Sequence, residues 1–102
     1  MDKGKNIAIV TGGSKGIGKS ISIGLAKKNT DLIITYFRDK KNAVKTSNEI
    51  NNLGSKCHIY KVDLSKLDQV EKFCEEIKTT FKQINFLINN AATGINKNSL
   101  KL

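Results

Sequence analysis

The run GGSKGIGKS, residues 12–20, satisfies two nucleotide-binding patterns at once. Counted from Gly13 it is G-x-x-x-x-G-K-S, a phosphate loop in which Lys19 would reach the terminal phosphates and Ser20 would hold Mg²⁺. Counted from Gly12 it is G-x-x-x-G-x-G, a turn suited to a dinucleotide. In that reading Gly12 allows a tight turn, and Gly16 and Gly18 let the backbone approach a pyrophosphate and the sheet. The helix that follows would offer its free N–H groups to the phosphates. The nine residues alone do not choose, because a glycine-rich turn also joins strand to helix where no nucleotide binds.

The flanking sequence is strand on one side and helix on the other. NIAIV (6–10) runs into the turn, and DLIITYF (31–37) and INFLINN (84–90) are similar apolar runs without alternation. Such runs suit strands buried on both faces, as in a parallel sheet. CHIYKV (57–62) carries a histidine and a lysine, which place it near a sheet edge. Between the strands, three apolar stripes at helical spacing predict helices and their buried faces: Ile17, Ile21 and Leu25; Val44, Ser47, Ile50 and Leu53; and Leu67, Val70, Cys74, Ile77 and Phe81. Gly54 marks the end of the second helix, and Ser65 with Asp68 reads as a capped, acidic start to the third. Strand and helix therefore alternate, which argues a parallel α/β sheet with right-handed crossovers.

The bulk numbers set limits around this pattern. With 102 residues, 38% apolar and 26% charged, the chain has room for one small domain and one core. No apolar run approaches the roughly 20 residues of a membrane helix, and the start MDKGKN lacks a signal peptide's apolar segment, so the expected compartment is the cytoplasm. Cys57 and Cys74 form no C-x-x-C pair and are expected as reduced, buried thiols. The formal net charge of +9 would help an anionic ligand. Nucleic acid is not the expected partner, because the lysines are dispersed and the six aromatics do not interleave with them.

Three motifs occur in order at the predicted strand ends: VTGGSKGIG, VDL and LINNAA. Together they resemble the short-chain dehydrogenase/reductase family over nearly the whole chain. Thr11, Gly12, Gly16, Ile17 and Gly18 match its T-G-x-x-x-G-I-G turn, Asp63-Leu64 its D-[LV], and Asn89, Asn90 and Ala91 its N-N-A-G, with Ala92 in place of the glycine. The resemblance implies a Rossmann-like, three-layer α/β/α fold with strand order 3-2-1-4. Residues 1–92 would form a partial NAD(P)-binding domain, and 93–102 a polar tail. It also implies site roles. Gly12, Gly16, Ile17 and Gly18 would line the pyrophosphate, with Ser14 and Lys15 in the same turn. Asp63 and Leu64 would hold the adenine edge, Asn90 and Ala91 would pass beneath the adenosine ribose and adenine, and Ala92 would make the contact nearest the nicotinamide side.

The choice of dinucleotide rests on charge. An NAD enzyme places a carboxylate about 20 residues past the turn, at the end of the second strand, for the ribose 2′-hydroxyl. Here that place falls near Tyr36, with Arg38 two residues on and Lys15 inside the glycine turn. A guanidinium fork and a second cation suit a 2′-phosphate, so NADP(H) is expected over NAD(H). Asp39 is the one acidic residue that points the other way.

The family's catalytic Tyr-x-x-x-Lys lies on a helix after a fifth strand, beyond this chain. Tyr36 and Lys40 have that spacing but stand at the end of the second strand, by the adenosine half of the cofactor. No catalytic residue is therefore expected, and His58 reads as a strand histidine. The chain is expected to be the first part of a reductase, inactive alone, or else a non-catalytic dinucleotide-binding module. Its YFRDKK and NNAATG stretches resemble the ketoacyl and enoyl acyl-carrier-protein reductases of fatty-acid synthesis. An uncovered fourth strand would invite self-association. No metal site is expected outside the phosphate-loop reading.

Overall fold

Both faces of the central strands are apolar because both faces are covered. In β1 (Asn6–Thr11), Ile7 and Ile9 face one layer while Ala8 and Val10 face the other. In β2 (Thr30–Tyr36), Ile33 joins the first group and Leu32 and Ile34 the second. The computed structural model describes residues 5–90. After β1 come α1 (Gly16–Ala26), β2, α2 (Lys40–Asn52), β3 (Cys57–Lys61), α3 (Leu67–Thr80) and β4 (Phe86–Asn89). All four strands are parallel, in the order β3-β2-β1-β4, with Ile9 opposite Ile33 and Thr11 opposite Asn89.

Helices α1 and α2 cover one face of this sheet and α3 the other, giving the expected Rossmann-like arrangement of three layers. Side chains along β3 alternate between the two layers. Cys57 and Ile59 pack toward α1 and α2, whereas His58 and Tyr60 meet α3's side through edge-to-face contacts with Phe81 (4.9 Å between centroids) and Phe73 (5.2 Å). Burial holds the His58 pKa below its ordinary value, so the ring is neutral at pH 7. Cys57 and Cys74 belong to cores on opposite faces of the sheet. Cys74 is buried as expected, Cys57 only partly so, and burial pushes the Cys57 thiol up to about 11.

The helices are where the sequence pattern misleads. In α1 the buried line is Gly18, Ser22 and Ala26, and Ile17 is 74% exposed. In α2 it is Ala43, Thr46 and Ile50, with Val44 and Leu53 turned outward. Small residues let these helices sit close on the sheet, and the larger apolar side chains Ile21, Ile23 and Leu25 pack at the flanks of the contact. The α3 stripe holds at Val70, Cys74 and Ile77, gains Phe73, and loses Leu67 to solvent. Ser65 does not cap α3. Lys66 occupies the cap position without a side-chain bond, and the Ser65 hydroxyl is donated to Asp63 instead.

This register predicts unequal costs for two isoleucines. Ile33→Ala removes a fully buried side chain from the sheet and should lose about 2–5 kcal/mol of stability. Ile17→Ser should change it by less than about 0.5 kcal/mol. Urea unfolding of both variants checks this, and similar losses would contradict the placement of α1.

Candidate functional site

Strands β1, β2, β3 and β4 all end at the same edge of the sheet, and the glycine turn lies across it. The turn is shaped by backbone. Gly12 and Gly16 adopt φ of 66° and 61°, which side-chain-bearing residues rarely hold. Gly18 is a matter of space: an added Cβ would fall on the Gly12 carbonyl oxygen and 2.6 Å from Asn90 Nδ2. Helix α1 therefore begins in contact with the strand that precedes it.

Four side chains brace this contact. The Gly12 N–H donates to Thr35 Oγ1 (3.1 Å), and the Gly12 carbonyl accepts from Asn90 Nδ2 (3.2 Å). The Asn90 N–H in turn donates to Thr11 Oγ1 (3.0 Å). On the far side, Thr46 Oγ1 of α2 donates to the Ser14 carbonyl (2.8 Å), so Ser14 is buried and fixed. Of these, Asn90 was expected at the site, and its side chain is found as a structural tie. Thr35 and Thr46 were not foreseen. Nothing local in the sequence marks them, because each reaches the turn from another element.

The start of α1 suits an anion. Its N-cap residue, Lys15, is extended and no side chain caps the helix, nor is there an acidic residue in the first turn. The side of Gly16 where a Cβ would stand has nothing within 4 Å. The backbone donors of the first turn are thus left to an outside partner. Ile17 stands beside them in solvent.

Next to the turn is a cleft of about 250 Å³, lined by Gly12 and by residues 35–37 and 62–65. Val62, Leu64 and Phe37 supply its apolar walls. Asp63 supplies a carboxylate whose Oδ1 accepts from the Ser65 hydroxyl (2.6 Å) and N–H (3.0 Å). Those bonds, with the charges of Lys66 and Arg38, hold its pKa below the usual carboxylate range. The Asp63 N–H donates to Gln69 Oε1 (2.8 Å), which fixes the loop. Arg38 is exposed at the end of β2, with its guanidinium 5.2 Å from the Phe37 ring centroid, and Lys15 Nζ lies 4.0 Å from Asp39 Oδ2. The structure thus gathers Gly12, Ser14, Lys15, Gly16, Ile17, Gly18, Arg38, Asp63, Leu64 and Asn90 around one edge. Ala91 and Ala92 lie outside the described residues.

Two sequence patterns are not assembled as their motifs would need, although Tyr36 itself lines the cleft. Lys19, which a phosphate loop needs at the phosphates, is paired with Glu49 of α2 at 2.9 Å. Tyr36 ends β2 and Lys40 begins α2, so the two do not share a helix. Among the described residues no group of three or more His, Cys, Asp or Glu side chains could hold a metal ion, and no helix is long and apolar enough to cross a membrane.

Comparison with known proteins agrees with this geometry. A family model described as short chain dehydrogenase matches residues 6–102. The L-rhamnose 1-dehydrogenase (NADP(+)) of Thermoplasma acidophilum is 38% identical over 89 residues, covering 87% of this chain and 35% of the relative. A hydroxynaphthalene reductase-like protein of Metarhizium brunneum is 32% identical over 91 residues, covering 89% of this chain and 34% of the relative. A short chain dehydrogenase from Burkholderia cenocepacia J2315, solved in complex with NADP, superposes with a TM-score of 0.79 at 31% identity, over 84% of this chain and 35% of that one. The chain thus spans about a third of the length of the relatives it matches. With a glycine turn, an acidic cleft loop and an asparagine strand end in family order and in mutual contact or at one edge, and a family model matching residues 6–102, the chain belongs to the short-chain dehydrogenase/reductase family.

Proposed function

We propose that this chain is the NADP(H)-binding portion of an oxidoreductase of that family. The observation that carries the reading is the pairing of an uncapped, glycine-built helix start with an adjacent cleft, where Lys15 is the N-cap of that helix and Arg38 stacks by Phe37 of the cleft wall. In it, the backbone of Gly12, Ser14, Gly16, Ile17 and Gly18 holds the pyrophosphate. Asp63 and Leu64 hold the adenine in the cleft. Asn90 lies beneath the adenosine, and Lys15 and Arg38 take the 2′-phosphate. The residues fit that group: the donors of α1 have no side-chain cap, and Asp63 keeps one carboxylate oxygen outside its Ser65 bonds.

When bound, the cofactor supplies a hydride for a carbonyl or accepts one from an alcohol. The described residues bind and orient it. Tyr36 and Lys40 are split between the end of β2 and the start of α2, and in this reading the proton transfer belongs to residues other than these two. NADP in the Burkholderia complex and in the Thermoplasma enzyme's name supports the choice of cofactor. The substrate reading goes no further than a carbonyl or alcohol. The YFRDKK and NNAATG stretches resemble acyl-carrier-protein reductases, whereas the relatives' names speak of a sugar and a hydroxynaphthalene.

The same reading includes a tendency to self-associate. Among the described residues β4 pairs only with β1, and Phe86 on it is 44% exposed. Size-exclusion chromatography should show the apparent mass rising with protein concentration, and a monomer at all concentrations would remove this part. For the cofactor, calorimetric titration with NADPH, NADH and MgATP should show NADPH binding most tightly. Arg38→Ala should weaken NADPH by about tenfold or more and NADH little, since only the former offers a 2′-phosphate to the guanidinium. Equal affinity for NADPH and NADH, or binding of MgATP alone, would contradict the assignment.

A further inference from the structure

Thr46 lies in the middle of α2 with no exposed surface, on the same buried line as Ala43 and Ile50. A hydroxyl in such a place costs free energy unless it is bonded, and a helical threonine often returns that bond to a carbonyl of its own preceding turn. Thr46 instead donates to the Ser14 carbonyl, 32 residues away, at 2.8 Å. Ser14 precedes Lys15, the N-cap of α1, whose backbone is extended. A planar trans peptide is fixed once its carbonyl is held, and its N–H points the opposite way. With the Ser14 carbonyl drawn toward α2, the Lys15 N–H is directed away from α2 and the chain enters α1 at a set angle. The turn is also packed tightly at Gly13, where a Cβ would lie 2.8 Å from Ile34 Cγ2 and 2.9 Å from Ser22 Oγ.

We propose that Thr46 is a positioning residue for the cofactor: by fixing the Ser14–Lys15 peptide, it aims the first-turn N–H groups of α1 at the pyrophosphate. The inference rests on the cofactor reading above. Removing the hydroxyl leaves the Ser14 carbonyl buried without its donor, and the peptide turns to find another. The first-turn donors then meet the pyrophosphate out of line, and hydrogen bonds weaken steeply as they bend. The adenosine end is held by the separate cleft of residues 35–37 and 62–65 and is not affected. A second bond of the same kind supplies the comparison. Ser55, also buried, donates its hydroxyl at 3.1 Å to the carbonyl of Ala26, the last residue of α1. It ties the segment after α2 to the end of α1 that is far from the glycine turn.

The test compares the two ties in the whole chain. Urea unfolding first establishes that each variant is folded under the binding conditions. Calorimetric titrations with NADPH, and with adenosine 2′-monophosphate, which lacks the pyrophosphate, then read the two ends of the site. Thr46→Val keeps the shape and removes the bond, so it should weaken NADPH by about fivefold to tenfold and adenosine 2′-monophosphate by less than about twofold. Thr46→Ser restores the hydroxyl and should return NADPH to within about twofold of wild type. Thr46→Ala leaves room for water at the Ser14 carbonyl; it should show the same selective loss and keeps the test open if Thr46→Val does not fold. Ser55→Ala should lose stability yet hold NADPH within about twofold of wild type. Unchanged NADPH binding in Thr46→Val, equal weakening of both ligands, no rescue by Thr46→Ser, or an equal NADPH loss in Ser55→Ala would each overturn the role of Thr46 and leave the cofactor reading in place. If wild type binds no NADPH, the cofactor reading fails and this inference falls with it.

Discussion

The first turn of α1 rests on the carbonyl of Gly12, and the absence of a side chain at Gly18 is what permits it. Bringing a helix so near the end of its own strand points the unpaired N–H groups of its first turn across the sheet edge, where an anion can reach them. The same approach brings Gly12 within reach of Thr35 on β2 and Asn90 after β4, so that the turn is tied to both neighbours of β1. A loop held on three sides loses little freedom when a ligand arrives, which is what a binding turn requires. A methyl group at Gly18 would disturb the helix start, the Asn90 tie and the opening at Gly16 together.

What the sequence makes legible, and what it hides, follows from how each element is buried. The strands stand out because β1 and β2 are covered on both faces and must be apolar at every position. The edge position of β3 is visible in His58 and Lys61, and the strand order follows once three motifs are recognised at strand ends. The helical faces are not visible in the same way. Size-blind periodicity picks Ile17, Ile21 and Leu25 for α1, whereas the sheet accepts Gly18, Ser22 and Ala26 because they allow close approach. The ties from Thr35, Thr46 and Asn90 are hidden for a different reason. They join residues 23, 32 and 78 positions apart, and no local pattern signals a long-range hydrogen bond.

Charge gives the site its direction. The chain carries an excess of cations over its whole length, but Lys15 and Arg38 gain meaning from the fold, which brings the glycine turn and the end of β2 to one rim. Lys19 shows the opposite outcome. Its position in the sequence is that of a phosphate-loop lysine, and the turn of α1 carries it to Glu49 instead. One run of nine residues thus supports two nucleotide readings until the helix direction assigns each side chain to a partner.

Urea unfolding of Gly18→Ala beside Gly24→Ala tests this account most directly. Both glycines lie in α1, and a Cβ at Gly24 would meet nothing within 4 Å. Gly24→Ala should hold or raise stability by up to about 1 kcal/mol through helix propensity. Gly18→Ala should lower it by about 2 kcal/mol or more, since the added methyl meets backbone that cannot yield without opening the turn. Equal stabilities for the two variants would contradict the claim that contact between Gly18 and Gly12 builds the site.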